Sequence, residues 1–170
     1  MKTTLKIFAL SVALFGITNI SFGQDTSTAA ANAGANIIRP LTITKKSDLH
    51  FGDLVPSTEE SVIVKMEQDG TISSAAQYYL STGTRTAASF TISGEANHAY
   101  KIYCPATIDL KGTGEAKMTL TFDPSLAIDG TSLILTGGTQ TLNLGGSLAL
   151  AANQTAGAYS AEFNVTVAYE

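Results

Sequence analysis

The chain has 170 residues, 14 acidic and 10 basic, and only 14% of them are charged. No basic cluster goes beyond the pair Lys45-Lys46, which excludes a nucleic-acid surface, while the length suffices for one domain with a filled core. Cys104 is the only cysteine, so an internal disulfide is excluded.

Lys2 and Lys6 precede the apolar run of residues 7–17, and Ser21-Phe22-Gly23 follows with a small-x-small pattern. This reads as a secretory signal peptide, residues 1–23, cut between Gly23 and Gln24. The run is too short and wrongly flanked for a stable membrane span, and no cysteine near the cut invites a lipid anchor. Loss of Lys2 and Lys6 leaves a mature charge of about −6. The expected location is the periplasm, the cell surface or the medium. Residues 24–34 are small and polar with no bulky apolar side chain, so a flexible arm is expected there.

From Ala35 to Glu170 the pattern is β throughout, and one sandwich domain is expected over residues 35–170. Residues 36–44 hold Ile37, Ile38, Leu41 and Ile43, but Pro40 places this strand at a sheet edge or bulge. A short strand is expected over 49–54. Residues 61–66 alternate Val62, Val64 and Met66 against Ile63 and Lys65, then turn at Gln68-Asp69-Gly70. Further on, Phe90 and Ile92 point inward from 88–93. Tyr100, Ile102 and Cys104 point inward from 99–104, with Lys101 and Tyr103 outward. A weaker strand at 107–110 precedes the clean alternation of Met118, Leu120 and Phe122, which Pro124 stops. Strands at 132–136, 140–144 and 147–150 complete the middle of the chain. Over 158–169, Tyr159, Ala161, Phe163, Val165, Val167 and Tyr169 share one side, and Ser160, Glu162, Asn164, Thr166 and Ala168 the other. Roughly nine strands at 8–12-residue spacing, with no helical periodicity after residue 23, predict an all-β sandwich.

Four segments carry a resemblance: Asp48 to Leu54, Ala88 to Glu95, Thr139 to Leu148 and Gly157 to Tyr169. In that order they resemble domain-of-unknown-function family 4402, found on exported bacterial proteins and similar to fimbrial and spore-coat-U-like sandwiches. The resemblance spans about residues 35–170 and implies an immunoglobulin-like or pilin-like sandwich with no established activity. The C-terminal strand also resembles that of bacterial pilus subunits, with Gly157 fourteenth and Tyr169 second from the end. In those subunits a neighbour's N-terminal arm fills the place of a missing strand. That comparison implies an assembly strand made of Gly157, Tyr159, Phe163, Val165, Val167 and Tyr169, and a donor segment plugged by Ile37, Leu41 and Ile43. Residues 24–34 do not show the bulky apolar alternation of such an arm. A self-contained sandwich and a neighbour-completed one both fit the pattern.

Enzymatic chemistry finds little footing. His50 and His98 are the only histidines, neither lies in a catalytic motif, and no G-x-S-x-G occurs. Zinc would need more His or Cys ligands. The acids at Asp69 and Asp123–Asp129 match no calcium loop and suit turns instead. No cofactor or metal is therefore expected, and Cys104 reads as a small core hydrophobe. The expected role is a structural or adhesive surface subunit that associates with itself or with another surface protein. The rival reading is a monomeric module that binds a glycan or protein, with Tyr78, Tyr79 and Tyr103 as the sugar-facing aromatics.

Overall fold

The computed structural model describes residues 26–78, 80, 82–123 and 129–170. The expected signal peptide therefore lies outside the described residues, as do Gln24, Tyr79 and most of the stretch from Pro124 to Asp129. Residues 1–36 and 37–170 form separate units. In the first unit, residues 26–36 carry no strand or turn, and every one of them is exposed.

The second unit is all-β. Its strands are β1 (Thr42–Ser47), β2 (His50–Phe51), β3 (Val62–Met66), β4 (Arg85–Thr86), β5 (Ala88–Ser93) and β6 (Ala99–Tyr103). They continue with β7 (Thr107–Lys111), β8 (Lys117–Phe122), β9 (Asp129–Ile134), β10 (Thr139–Leu144), β11 (Gly146–Leu150) and β12 (Thr166–Tyr169). Two three-residue 3-10 turns, Ala76–Tyr78 and Thr136–Gly138, are the only helical elements among the described residues. All ladders are antiparallel, in the orders β1-β5-β10, β3-β11-β8-β7, β12-β6-β9 and β2-β4.

The period-two patterns produce these strands directly. In β3, Val62, Val64 and Met66 are buried while Ile63 is 61% exposed. In β5, Ala88, Phe90 and Ile92 face in. Tyr100 and Ile102 from β6 and Leu120 and Phe122 from β8 join the same core, with Leu142, Leu144, Leu148 and Leu150. The buried Tyr100 hydroxyl donates to Gln140 Oε1 at 2.8 Å, so the phenol meets no unmet polar demand.

Twelve strands are present among the described residues where about nine are expected; the two-residue β4, Arg85–Thr86, lies where no sequence pattern marks a strand, and some strands bend between sheets. Residues 139–150 form one such strand: β10 pairs with β5, then β11 pairs with β3 and β8. Gly145 sits at the crossing, where a Cβ would lie 2.3 Å from the Met66 carbonyl oxygen. Only glycine allows two backbones this close. The passage from β6 to β7 turns at Cys104-Pro105-Ala106, where proline offers no N–H to a ladder.

Both chain ends of the sandwich differ from their sequence patterns. The N-terminal strand starts at Thr42, after Pro40, and runs on to Ser47 instead of covering 36–44. The C-terminal strand is hydrogen-bonded only from Thr166 to Tyr169, not over 158–169. The bend at Pro105 takes away its partner: Thr166 pairs with Tyr103, and the next pairing is the lone bridge of Ser160 with Lys111. Ala161, expected inward, is exposed in this unpaired stretch.

Candidate functional site: an open seam between the first and last strands

Among the described residues β1 pairs only with β5, and β12 only with β6, so each presents one free edge there. The two meet at Tyr169. Its hydroxyl donates to the Arg39 carbonyl at 3.0 Å and accepts the Glu95 N–H at 2.6 Å. His98 stands edge-on to the Tyr169 ring at 6.1 Å. Away from this clasp the walls separate. A cleft of about 320 Å³ opens between Lys45, Ser47 and Asp48 on one wall and Ala161, Glu162, Phe163 and Asn164 on the other. Its floor is the inward-facing Ala88 and Phe90 of β5. A second cleft of about 420 Å³ continues the line between residues 49–54 and residues 154–159, over Leu110, Met118, Leu148 and Leu150. The seam thus runs from Arg39 and Tyr169 to Leu54 and Gln154, with its two walls antiparallel.

The C-terminal wall is a strand without a ladder. Residues 161–165 have no backbone hydrogen-bond partner among the described residues, yet Phe163 and Val165 are half-buried against the core. The Phe163 ring lies 4.7 Å from that of Phe122, tilted by 54°. Side chains hold this segment extended while its N–H and C=O groups stay unpaired, the condition under which a sheet edge accepts another strand.

Fixed contacts frame both ends. Ser160 and Lys111 exchange backbone bonds at 2.9 and 3.0 Å. The Tyr159 hydroxyl donates to the Thr155 carbonyl at 2.6 Å and accepts from Gln154 Nε2 at 2.8 Å. Past Tyr169, the Glu170 carboxylate meets Lys101 Nζ at 2.9 Å and accepts from Ser132 Oγ at 2.6 Å. The Lys101 ammonium, followed by the Ser132 hydroxyl, holds the Glu170 carboxyl below its ordinary value. Along the seam itself, Lys45 pairs with Asp48 at 2.7 Å on the exposed surface.

The predicted assembly residues divide along this frame. Phe163, Val165, Val167 and Tyr169 all pack half-buried on the core. Tyr159 closes over Gly112 at one end of the seam, and Gly157, at φ +150°, lines the second cleft. The predicted donor trio is split. Leu41 and Ile43 lie against the chain's own core, with Ile43 opposite Ile92 in the β1–β5 ladder, whereas Ile37 is 95% exposed. Of the sugar-facing candidates, Tyr78 packs partly on the core, and Tyr103 is 46% exposed on β6. Neither lines the seam. Tyr79 lies outside the described residues.

His50 Nδ1 accepts the Gly52 N–H at 3.0 Å, and His98 Nδ1 bonds the Ala96 carbonyl at 3.1 Å. Among the described residues no three metal-ligating side chains cluster. Burial pushes the half-buried Cys104 thiol up to about 11, away from nucleophile chemistry. Sequence reasoning missed the other wall, residues 45–54, and the loop at 154–158. The apolar spacing of Leu49, Phe51 and Leu54 was the available signal for the first.

The architecture is that of an all-β sandwich whose first and last strands leave facing edges open. The chain belongs to the family described as Domain of unknown function (DUF4402), whose model matches residues 41–169. No curated protein matches it.

Proposed function

We propose that this protein is an exported, non-enzymatic surface subunit, structural or adhesive, that assembles by taking an added strand into the seam. The observation that carries the reading is the C-terminal wall, where residues 161–165 lie extended and anchored by Phe163 and Val165 with their backbone unpaired. An added strand would supply those hydrogen bonds, drawing affinity from the main chain and register from alternate side chains. The early apolar run with its Ser21-Phe22-Gly23 site supports export.

The test is amide hydrogen exchange on the mature chain from Gln24, free and associated. Strand addition slows exchange over residues 161–165 by roughly tenfold or more. Unchanged exchange there in an associated sample would refute the reading. A stable monomer with saturable sugar binding sensitive to Tyr103 would favour the monomeric binding module.

A further inference from the structure

Resting on that reading, we infer that the strand entering the seam is residues 29–38 of a second copy of this chain, with Ile37 seated in the larger cleft.

The occupant follows from the fit of side chains to space. Residues 26–36 are wholly exposed and form no element, and residues 26–38 carry no charge. Extended, Ala29, Ala31, Ala33, Ala35 and Ile37 fall on one side, and Ala30, Asn32, Gly34, Asn36 and Ile38 on the other. The alternation is built mostly of alanines, which is why it escapes a search for bulky apolar residues. Small side chains suit the smaller cleft beside Ala88 and Ala161, and one bulky side chain suits the larger cleft over Leu110 and Met118. Ile37, at 95% exposure, is the most exposed of the large apolar residues among those described, and none of them covers it.

This matching fixes the direction. With the alanines beside Phe163 and Ile37 beside Leu54, the entering strand runs parallel to β1 and antiparallel to residues 161–165. The antiparallel ladder is the stronger of the two pairings. It also excludes the chain's own arm. Arg39 is held at the opposite end of the seam, its N–H donating to Glu95 Oε2 at 3.1 Å and its carbonyl accepting from Tyr169. From Ile37 to Arg39 the chain spans at most about 7 Å. The nine residues from Gly157 to Val165 alone extend over roughly 30 Å. A copy therefore offers its strand at one end and receives at the other. Such a contact is head-to-tail and propagates instead of closing into a two-fold dimer.

The experiment uses the chain from Gln24 with three variants of that chain, followed by light scattering over a concentration series. Ile37→Asp places a charge in the apolar cleft and spoils the donor only; its exposed position leaves the fold intact, which the thermal melt verifies. Ala158→Trp fills the cleft and spoils the acceptor only. The parent is expected to show a mass that climbs with concentration, and each of these two variants to need roughly tenfold or more protein to associate. Mixed together, the two variants retain one intact donor and one intact acceptor, so they form a one-to-one dimer and stop there. Ile37→Leu keeps parental assembly. If Ile37→Asp assembles like the parent while Ala158→Trp does not, the seam takes some other strand and this assignment falls alone. If the parent is monomeric throughout, or neither variant changes its assembly, strand addition at the seam falls with it.

Discussion

Truncating Phe163 to alanine tests whether side chains hold the C-terminal wall in place. The ring is half-buried, packs 4.7 Å from Phe122 and contributes to the first cleft of the seam. Removing a fully buried phenylalanine costs about 3–5 kcal/mol. Half burial brings this to roughly 1.5–2.5 kcal/mol, within which the aromatic pair supplies about 0.5–1 kcal/mol. For a domain of this size the loss lowers Tm by about 5–10 °C. The assay is urea unfolding at a concentration where light scattering shows monomer, with Ile63→Ala as the control. Ile63 is 61% exposed on β3, and its truncation is expected to cost less than about 0.5 kcal/mol. If Phe163→Ala costs no more than the control, the segment is not anchored, and the account of the open edge is wrong.

Gly145→Ala is expected to destabilise by about 3 kcal/mol or more, because its Cβ would meet the Met66 carbonyl oxygen at 2.3 Å and neither backbone can yield without breaking the β11 ladders. Urea unfolding measures it, and a loss under about 1 kcal/mol would show that the crossing is looser than described. The Glu170 carboxyl titrates below its ordinary value because it faces Lys101 and Ser132. A depressed carboxyl stabilises the fold above its unfolded value, near 4.3, and that contribution disappears as pH falls through the lower folded value. Protection of the β12 amides, taken relative to the intrinsic exchange rate at each pH, should therefore fall in that acid range, and Glu170→Gln should remove the acid-side step. An unchanged profile would refute the pairing.

Much of the fold is legible because alternation reports burial directly. β3, β5 and β8 lie where Val62 to Met66, Ala88 to Ser93 and Lys117 to Phe122 place them, with the expected faces inward. The pattern is blind to partners. Residues 158–169 alternate well enough for a full strand, and what interrupts the ladder is Pro105, more than fifty residues earlier, on the opposing strand. Likewise Leu41 and Ile43 alternate as well for a donated strand as for a resident one, and only the β1–β5 register decides that they belong to the chain's own core. The seam was half visible for the same reason. Its apolar anchors Phe163 and Val165 could be read from the sequence, while the gap beside them depends on where two strands distant in sequence fail to meet.

The strand that bends at Gly145 also bears on the order of folding. Its first half pairs with β5 and its second with β3 and β8, so Leu150 opposes Val62 and Thr139 opposes Ser93. The β1–β5 ladder, the β7–β8 hairpin and the single strand β3 are joined through this one stretch of chain. Such distant pairings must pay loop-closure entropy before any contact rewards it, which places folding in the millisecond-to-second range and makes it close to all-or-none. A nascent chain that ends at Leu144 can seat β10 on β5, but it lacks the strand that joins β3 to β8 and ties that pair to the rest of the core.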